Sequence, residues 1–352
     1  MSSSPRSRAR RRAHRRTTTW LGGVAVLAPL VLAGCAEDRP TPQVLAERPE
    51  RTIPAYDAED PGPAGRAALA LVPADATVVT VTDFDASRQA LGVPELTSES
   101  LVSERTDYWE RVRRESVLLA EGRLHEHDSL LLLDHGFTSD DVDWEARFLT
   151  PDGPGWVLAL RPDLDMARVE DAVDAGVAGL AGADVDEELH LVSVGAATDG
   201  EDTWAARDGA ADLTAEEPAE STYYRAGCVP LAEALGPDAG VEEQDAVLSR
   251  HDPRDLEPLD AFAVSFDDGV ATARLGLDRP DLFDRSALAE DFPATGPMGF
   301  GEVFTTPVVD PSTGRIGWTV AAPAAAAGLV LTDVLPFAVC PEVTPMEEPT
   351  GL

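Results

Sequence analysis

The stretch "LHEHDSLLLLDHGFTSDDVDWEARF", Leu124 to Phe148, gathers three of the chain's six histidines among seven acids. On a strand, His125 and His127 would share a face, and with His135 or Asp134 they could hold zinc or copper. The spacing is not HExxH, and a third ligand at that distance matches no recognised template. The competing reading makes "RLHEHDS" a polar loop after a helix over Asp107 to Glu121, and it is the favoured one. Asp140, Asp141, Asp143 and Glu145 invite calcium, yet the glycine and twelve-residue frame of an EF-hand are missing. Acids in the first turn of a helix are favoured by the macrodipole alone. "TSDDVDWEARF" is therefore expected to start a helix, capped by Ser139 or Asp140.

Other chemistry is excluded outright. All 28 basic residues are arginine, with no lysine in the chain. A Ser-Lys dyad, a Schiff-base enzyme, a Walker A loop and a protein kinase each require a lysine amine. There is no GxSxG elbow, and no glycine-rich dinucleotide fingerprint follows a strand. Among 64 acids no glycosidase-like carboxylate pair stands out. No catalytic residue is assigned, and the chain is read as more fitted to binding than to catalysis.

The elements that would position any site recur as apolar strand, short turn, then helix. Thr77 to Val81 reads as a strand, with Asp85 or Ser87 capping the next helix. Trp156 to Leu160 repeats it, with Asp165 as cap and Val169, Val173 and Val177 on one helix face before Gly182. Asp267-Asp268-Gly269 closes a hairpin, Pro280 turns the chain into a short helix, and Ile316 to Val320 precedes a helix over Pro323 to Val334. These passages predict an α+β body with a mainly antiparallel sheet, helices packed on it and two similar halves. The halves would span 66–210 and 211–342, divided in the acidic, loop-like stretch at 200–220. Tyr108, Trp109, Trp144, Trp156, Trp204, Tyr223, Tyr224 and Trp318 occupy core-like positions.

Charge separates the N-terminus from the rest. Seven arginines, Arg6 to Arg16, precede an apolar run from Trp20 to Ala33. At 14 residues the run is shorter than the roughly 20 needed to span a bilayer. The order basic, apolar, small is that of an export signal. Without this segment the chain has 21 arginines against 64 acids, a net charge of −43. Such a body repels nucleic acid and anionic headgroups, so no nucleic-acid partner is expected. It also fits a salt-rich habitat, where screening relieves the repulsion.

Leu32-Ala33-Gly34-Cys35 resembles the lipobox of bacterial lipoprotein signal peptides at all four positions. "DDVDWEARF", "DPSTGRIGWTV" and "LPFAVC" look like segments of extracytoplasmic lipoproteins of actinobacteria. The resemblance implies cleavage behind Gly34 and a diacylglyceryl group on Cys35 as the membrane anchor, and two or more acyl chains hold a protein durably. Arg15-Arg16 before Trp20-Leu21 also resembles a twin-arginine signal, so the export route stays open.

The domain reading follows: signal peptide 1–35, Pro-rich acidic tether 36–65, body 66–342 and disordered tail 343–352. In an oxidising compartment the remaining even pair, Cys228 and Cys340, is most economically a disulfide. The expected protein is lipid-anchored at the extracytoplasmic face of the cell membrane. It binds an unidentified protein or small molecule and needs no cofactor beyond its lipid. The alternatives are a solute-binding lipoprotein of a transporter and a metal-dependent envelope enzyme built on His125, His127 and His135.

Overall fold

In the computed structural model, residues 51–197 and 200–346 are described. The lipobox and Cys35, the start of the tether and the last six residues lie outside them.

Ten strands among the described residues form one sheet in the order β4-β5-β3-β2-β1-β6-β7-β8-β10-β9, every neighbouring pair antiparallel. The first five are β1 (Val78–Asp83), β2 (Val142–Thr150), β3 (Gly153–Leu160), β4 (Asp184–Asp186) and β5 (Leu191–Val194). The second five are β6 (Ser221–Ala226), β7 (Ala261–Asp267), β8 (Val270–Arg274), β9 (Phe304–Asp310) and β10 (Arg315–Val320). Counted outward from the central β1–β6 contact, each side runs first, second, third, fifth, fourth. The α+β architecture is as expected, and the shared strand order is what the sides have in common.

Among the described residues eleven α-helices accompany the strands. They are α1 (Ala64–Leu69), α2 (Phe84–Ala90), α3 (Val102–Glu115), α4 (Asp128–Asp134), α5 (Met166–Asp174) and α6 (Ala210–Leu213). The rest are α7 (Leu231–Ala234), α8 (Val241–Leu248), α9 (Leu282–Glu290), α10 (Phe300–Val303) and α11 (Pro323–Leu331). Asp165 caps α5 as read, its carboxylate accepting from Ala167 N. The β7–β8 hairpin turns at Asp268 and Gly269, both at positive φ, the geometry that Asp-Gly favours in a two-residue turn. The cap of α2 differs from expectation: Asp83, at the end of β1, accepts from Ala86 N at 2.8 Å.

Alternation along the strands sorts the core. A cross-strand row of Trp156, Arg147, Thr80, Tyr223, Val264, Ala273 and Ile316 faces one side of the sheet. On this front face α2, α3, α4 and α5 bury Phe84, Trp109, Leu131 and Val169 against the first five strands. The helices α7 to α11 bury Leu231, Val247, Leu282, Phe300 and Ala326 against the second five. On the back face α1, α6 and Trp204 cover the first five strands and reach Tyr224 of β6 and Ala263 of β7. All eight aromatic residues read as core are buried.

Three expectations are corrected. "DDVDWEARF" begins no helix: after one 3₁₀ turn at Ser139–Asp141, capped by Thr138, it becomes β2. The final part of the expected tether is extended but laid on the body, with Ile53 packed on the core and Tyr56 edge-on to Trp144 at 6.1 Å. Val343 and Met346, in the expected tail, pack on the second core, and Met346 N donates to Gln244 Oε1 at 2.8 Å. The stretch at 200–220, read as loop-like, holds two 3₁₀ turns and α6 and buries Trp204 completely.

Candidate functional site: a groove between the two helix layers

At the centre of the front face, β1, β2 and β6 present Thr82, Glu145 and Ser221 instead of apolar side chains. No helix can bury an apolar stripe there, and the chain crosses as an irregular segment from Ser116 to Arg123. It is pinned by the sheet's polar groups. Ala120 N donates to Thr82 Oγ1 at 2.9 Å and Arg123 N to Glu145 Oε2 at 2.6 Å, while Ser221 Oγ donates to Val117 O. Ser116 Oγ donates to Glu220 at 3.0 Å.

Beside this segment opens a groove of about 820 Å³. One wall carries Arg113, Arg123 and Arg147 together with Glu121 and the HEH motif, and the other is an apolar face of α11, Ala324, Ala327 and Leu331. The arginines come from three elements: the last turn of α3, the irregular segment and β2. Arg123 lies over the Trp156 ring at 4.2 Å, and Arg113 lies over Trp109 at 5.5 Å. The Arg123 Nε is buried without a hydrogen-bond partner. Burial, followed by the nearby Glu145 and Arg147 charges acting in opposite senses, leaves its guanidinium below its ordinary pKa. Arg147 is paired with the buried Glu145.

His125 and His127 lie in a 3₁₀ turn at the groove's edge, not on a strand. The His125 ring packs on Trp109 at 4.2 Å, and its Nδ1 is 3.1 Å from the Asp128 carboxylate and 3.3 Å from Ser139 Oγ. Asp128 thereby fixes the ring's orientation. His135 follows the last residue of α4 and does not line the groove. Among the described residues, one set of three His, Cys, Asp or Glu ligand atoms lies within 4.8 Å of one another: Cys228, Cys340 and Glu342. His125, His127 and His135 therefore do not converge as a metal triad. In the Cys228/Cys340 set both sulfurs are joined to each other, with Cα atoms 5.0 Å apart.

The acids read as calcium candidates are occupied by protein donors. Asp140 accepts from Trp109 Nε1 at 2.9 Å and from Arg105, while Asp141 accepts from Thr138 N and Ser98 N. Asp143 pairs with the fully buried Arg88 at 2.9 Å. Sequence reasoning missed the groove's arginines. The one available signal was their scarcity: in so acidic a chain, the run "RVRR" on α3 and the Glu145/Arg147 alternation on β2 stand out.

No protein-family model, curated protein or solved structure matches the chain.

Proposed function

We propose that this chain is a lipid-anchored protein of the cell envelope. A diacylglyceryl group on Cys35 holds it at the extracytoplasmic face, and it binds an amphipathic acid in the groove without transforming it. The observation that carries the binding reading is the grouping of Arg113, Arg123 and Arg147 opposite the apolar face of α11, in a body whose net charge is −43. Arg113 and Arg123 form no ion pair among the described residues, Arg147 is held by Glu145, and guanidinium forks suit a carboxylate or phosphate. The apolar wall supplies the driving force for the rest of the ligand. The leader argues the address, since its apolar run is too short to span and ends in a lipobox. A single sheet running through both helix layers favours this reading over a two-lobed transporter receptor.

Two experiments test it. Cys35→Ala should abolish labelling by radioactive palmitate and release the protein from membranes, and unchanged labelling overturns the anchor. Dodecanoate, titrated by tryptophan fluorescence, should bind saturably and about tenfold more weakly to Arg123→Gln. Equal binding of dodecanol overturns the acidic-ligand reading.

A further inference from the structure

The back of the sheet changes character halfway across. One cross-strand row reads Phe148, Val79, Tyr224, Ala263, Arg274, Arg315 and Asp310. The covering layer ends at Tyr224 and Ala263, which belong to its core. Arg274 and Arg315 follow as direct neighbours on antiparallel strands, so two guanidiniums leave adjoining backbone positions on the same face. The parallel row holds Ser265, Thr272 and Gly317. Over these residues and the overhanging loop at 215–219 lies a cavity of about 460 Å³, separate from the groove.

The two arginines are unusually placed for so acidic a protein. Arg274 is 7% exposed, and its Nε is buried with no hydrogen-bond partner. Its Nη1 donates to Ser265 Oγ at 2.7 Å. The Arg315 Nε is likewise buried and unpartnered. Neither guanidinium is ion-paired among the described residues, whereas Arg225, next to Tyr224 on β6 and so on the opposite face, meets both Asp333 and Glu233. Asp310, beside Arg315 in the row, instead accepts from Ser312 and Thr313 of its own turn. Burial and then the Arg315 charge bring Arg274 down to about 10. Two like charges held together with no direct ion pair, although Glu216 acts on Arg274 and Asp310 lies near Arg315, cost free energy that a bound anion would relieve.

We propose that Arg274 and Arg315 bind a small soluble ligand through a doubly charged oxyanion of the phosphate or sulfate type. Two cations call for a dianion, and two forks with the Ser265 and Thr272 hydroxyls supply the directed donors that tetrahedral oxyanions accept. The β7–β8 hairpin brings Asp267 and Asp268 to the cavity, and the loop adds Glu217 near Asp267 and Glu216 near Arg274. Those acids repel a polyanion or an anionic bilayer and restrict the occupant to a small molecule.

The test titrates the purified full chain with inorganic phosphate, sulfate and acetate by calorimetry. Phosphate and sulfate should each bind saturably at one site, with acetate at least about tenfold weaker. Arg315→Gln should weaken both dianions by about tenfold or more. Arg315→Lys, which keeps the charge and loses the fork, should fall between and covers the case in which Arg315→Gln does not fold. Arg123→Gln, in the groove, should leave phosphate binding unchanged, so this site stands or falls independently of the proposed groove ligand. Equal affinity in wild type and the folded Arg315 variant overturns the proposal, as does absence of saturable binding of either dianion.

Discussion

The guanidinium of Arg123 lies 4.2 Å from the ring centroid of Trp156, although the two residues belong to different elements. The pair joins the irregular segment to β3, and the indole carries the arginine at the groove's edge. The other anchors are a backbone bond from Arg123 N to Glu145 and a 3.3 Å contact from Nη2 to Gly179 O.

Arg123→Met keeps the stem on the ring and removes the charge. Its unfolding free energy should fall by about 1 kcal/mol or less, the scale of an exposed cation–π contact. Urea denaturation measures this. A much larger loss would mean that the arginine is structural and not held for a ligand.

Stability should respond to Asp83. Burial, above all, raises its carboxyl to about 7, with Asp85 and Asp143 adding to the effect and the cap bond from Ala86 N opposing it. The unfolded chain ionises the same group near about 3.9. The folded state therefore holds the proton more tightly, so the contribution is complete below about pH 4 and is lost as pH rises toward 7. Asp143, raised to about 6 mainly by burial, acts in the same direction over a narrower window. Asp83→Asn, which preserves the cap, should flatten this part of the stability profile, removing up to ~4 kcal/mol of pH dependence. Denaturation at pH 4.5 and 7.5, compared with wild type, provides the check.

Cys228 and Cys340 close a loop with a sequence separation of 112. Replacing both with serine should cost about 2–5 kcal/mol. The adjoining backbone bonds, Val229 N to Ala338 O and Cys340 N to Val229 O, remain to preserve the contact. Reductant should bring the wild type to the variant's midpoint and leave the variant unmoved.

Arg285 on α9 is fully buried, and its Nε pairs with Asp281 at 2.7 Å. Its other nitrogens donate to Phe337 O, Val339 O and Glu257 O. Arg285→Met removes the donor to Phe337 O and Val339 O and one of the two arginines on Asp281, Arg279 staying at 2.8 Å, so a loss of about 2–5 kcal/mol is expected. Arg254→Met, at an exposed position, should stay within about 0.5 kcal/mol in the same denaturation series.

Where a local signal dominates, the sequence was sufficient. Asp165 as a cap, Asp268-Gly269 as a turn and the Pro323 helix start each depend on a few neighbouring residues, and each was legible. Asp140 to Glu145 misled because acids before an apolar residue suit a helix N-terminus equally well. Their strand geometry is decided by distant donors, the Trp109 indole and the Arg88 and Arg105 guanidiniums. The tail was misread for the same reason: Gln244 bonds both Thr344 and Met346 across about 100 residues of chain.

The sequence alone determined the composition-level facts: a lysine-free chain with a large acid excess, a run too short to span a bilayer, an α+β pattern, the Asp165 cap and the Asp268-Gly269 turn. These are local or additive properties. Tertiary structure alone decided that Thr82, Glu145 and Ser221 would interrupt the apolar front face. It also placed arginines from α3, an irregular segment and β2 at one groove, and set Arg274 beside Arg315 on the back of the sheet. Strand register makes these neighbours, and register depends on pairings among residues far apart in the chain.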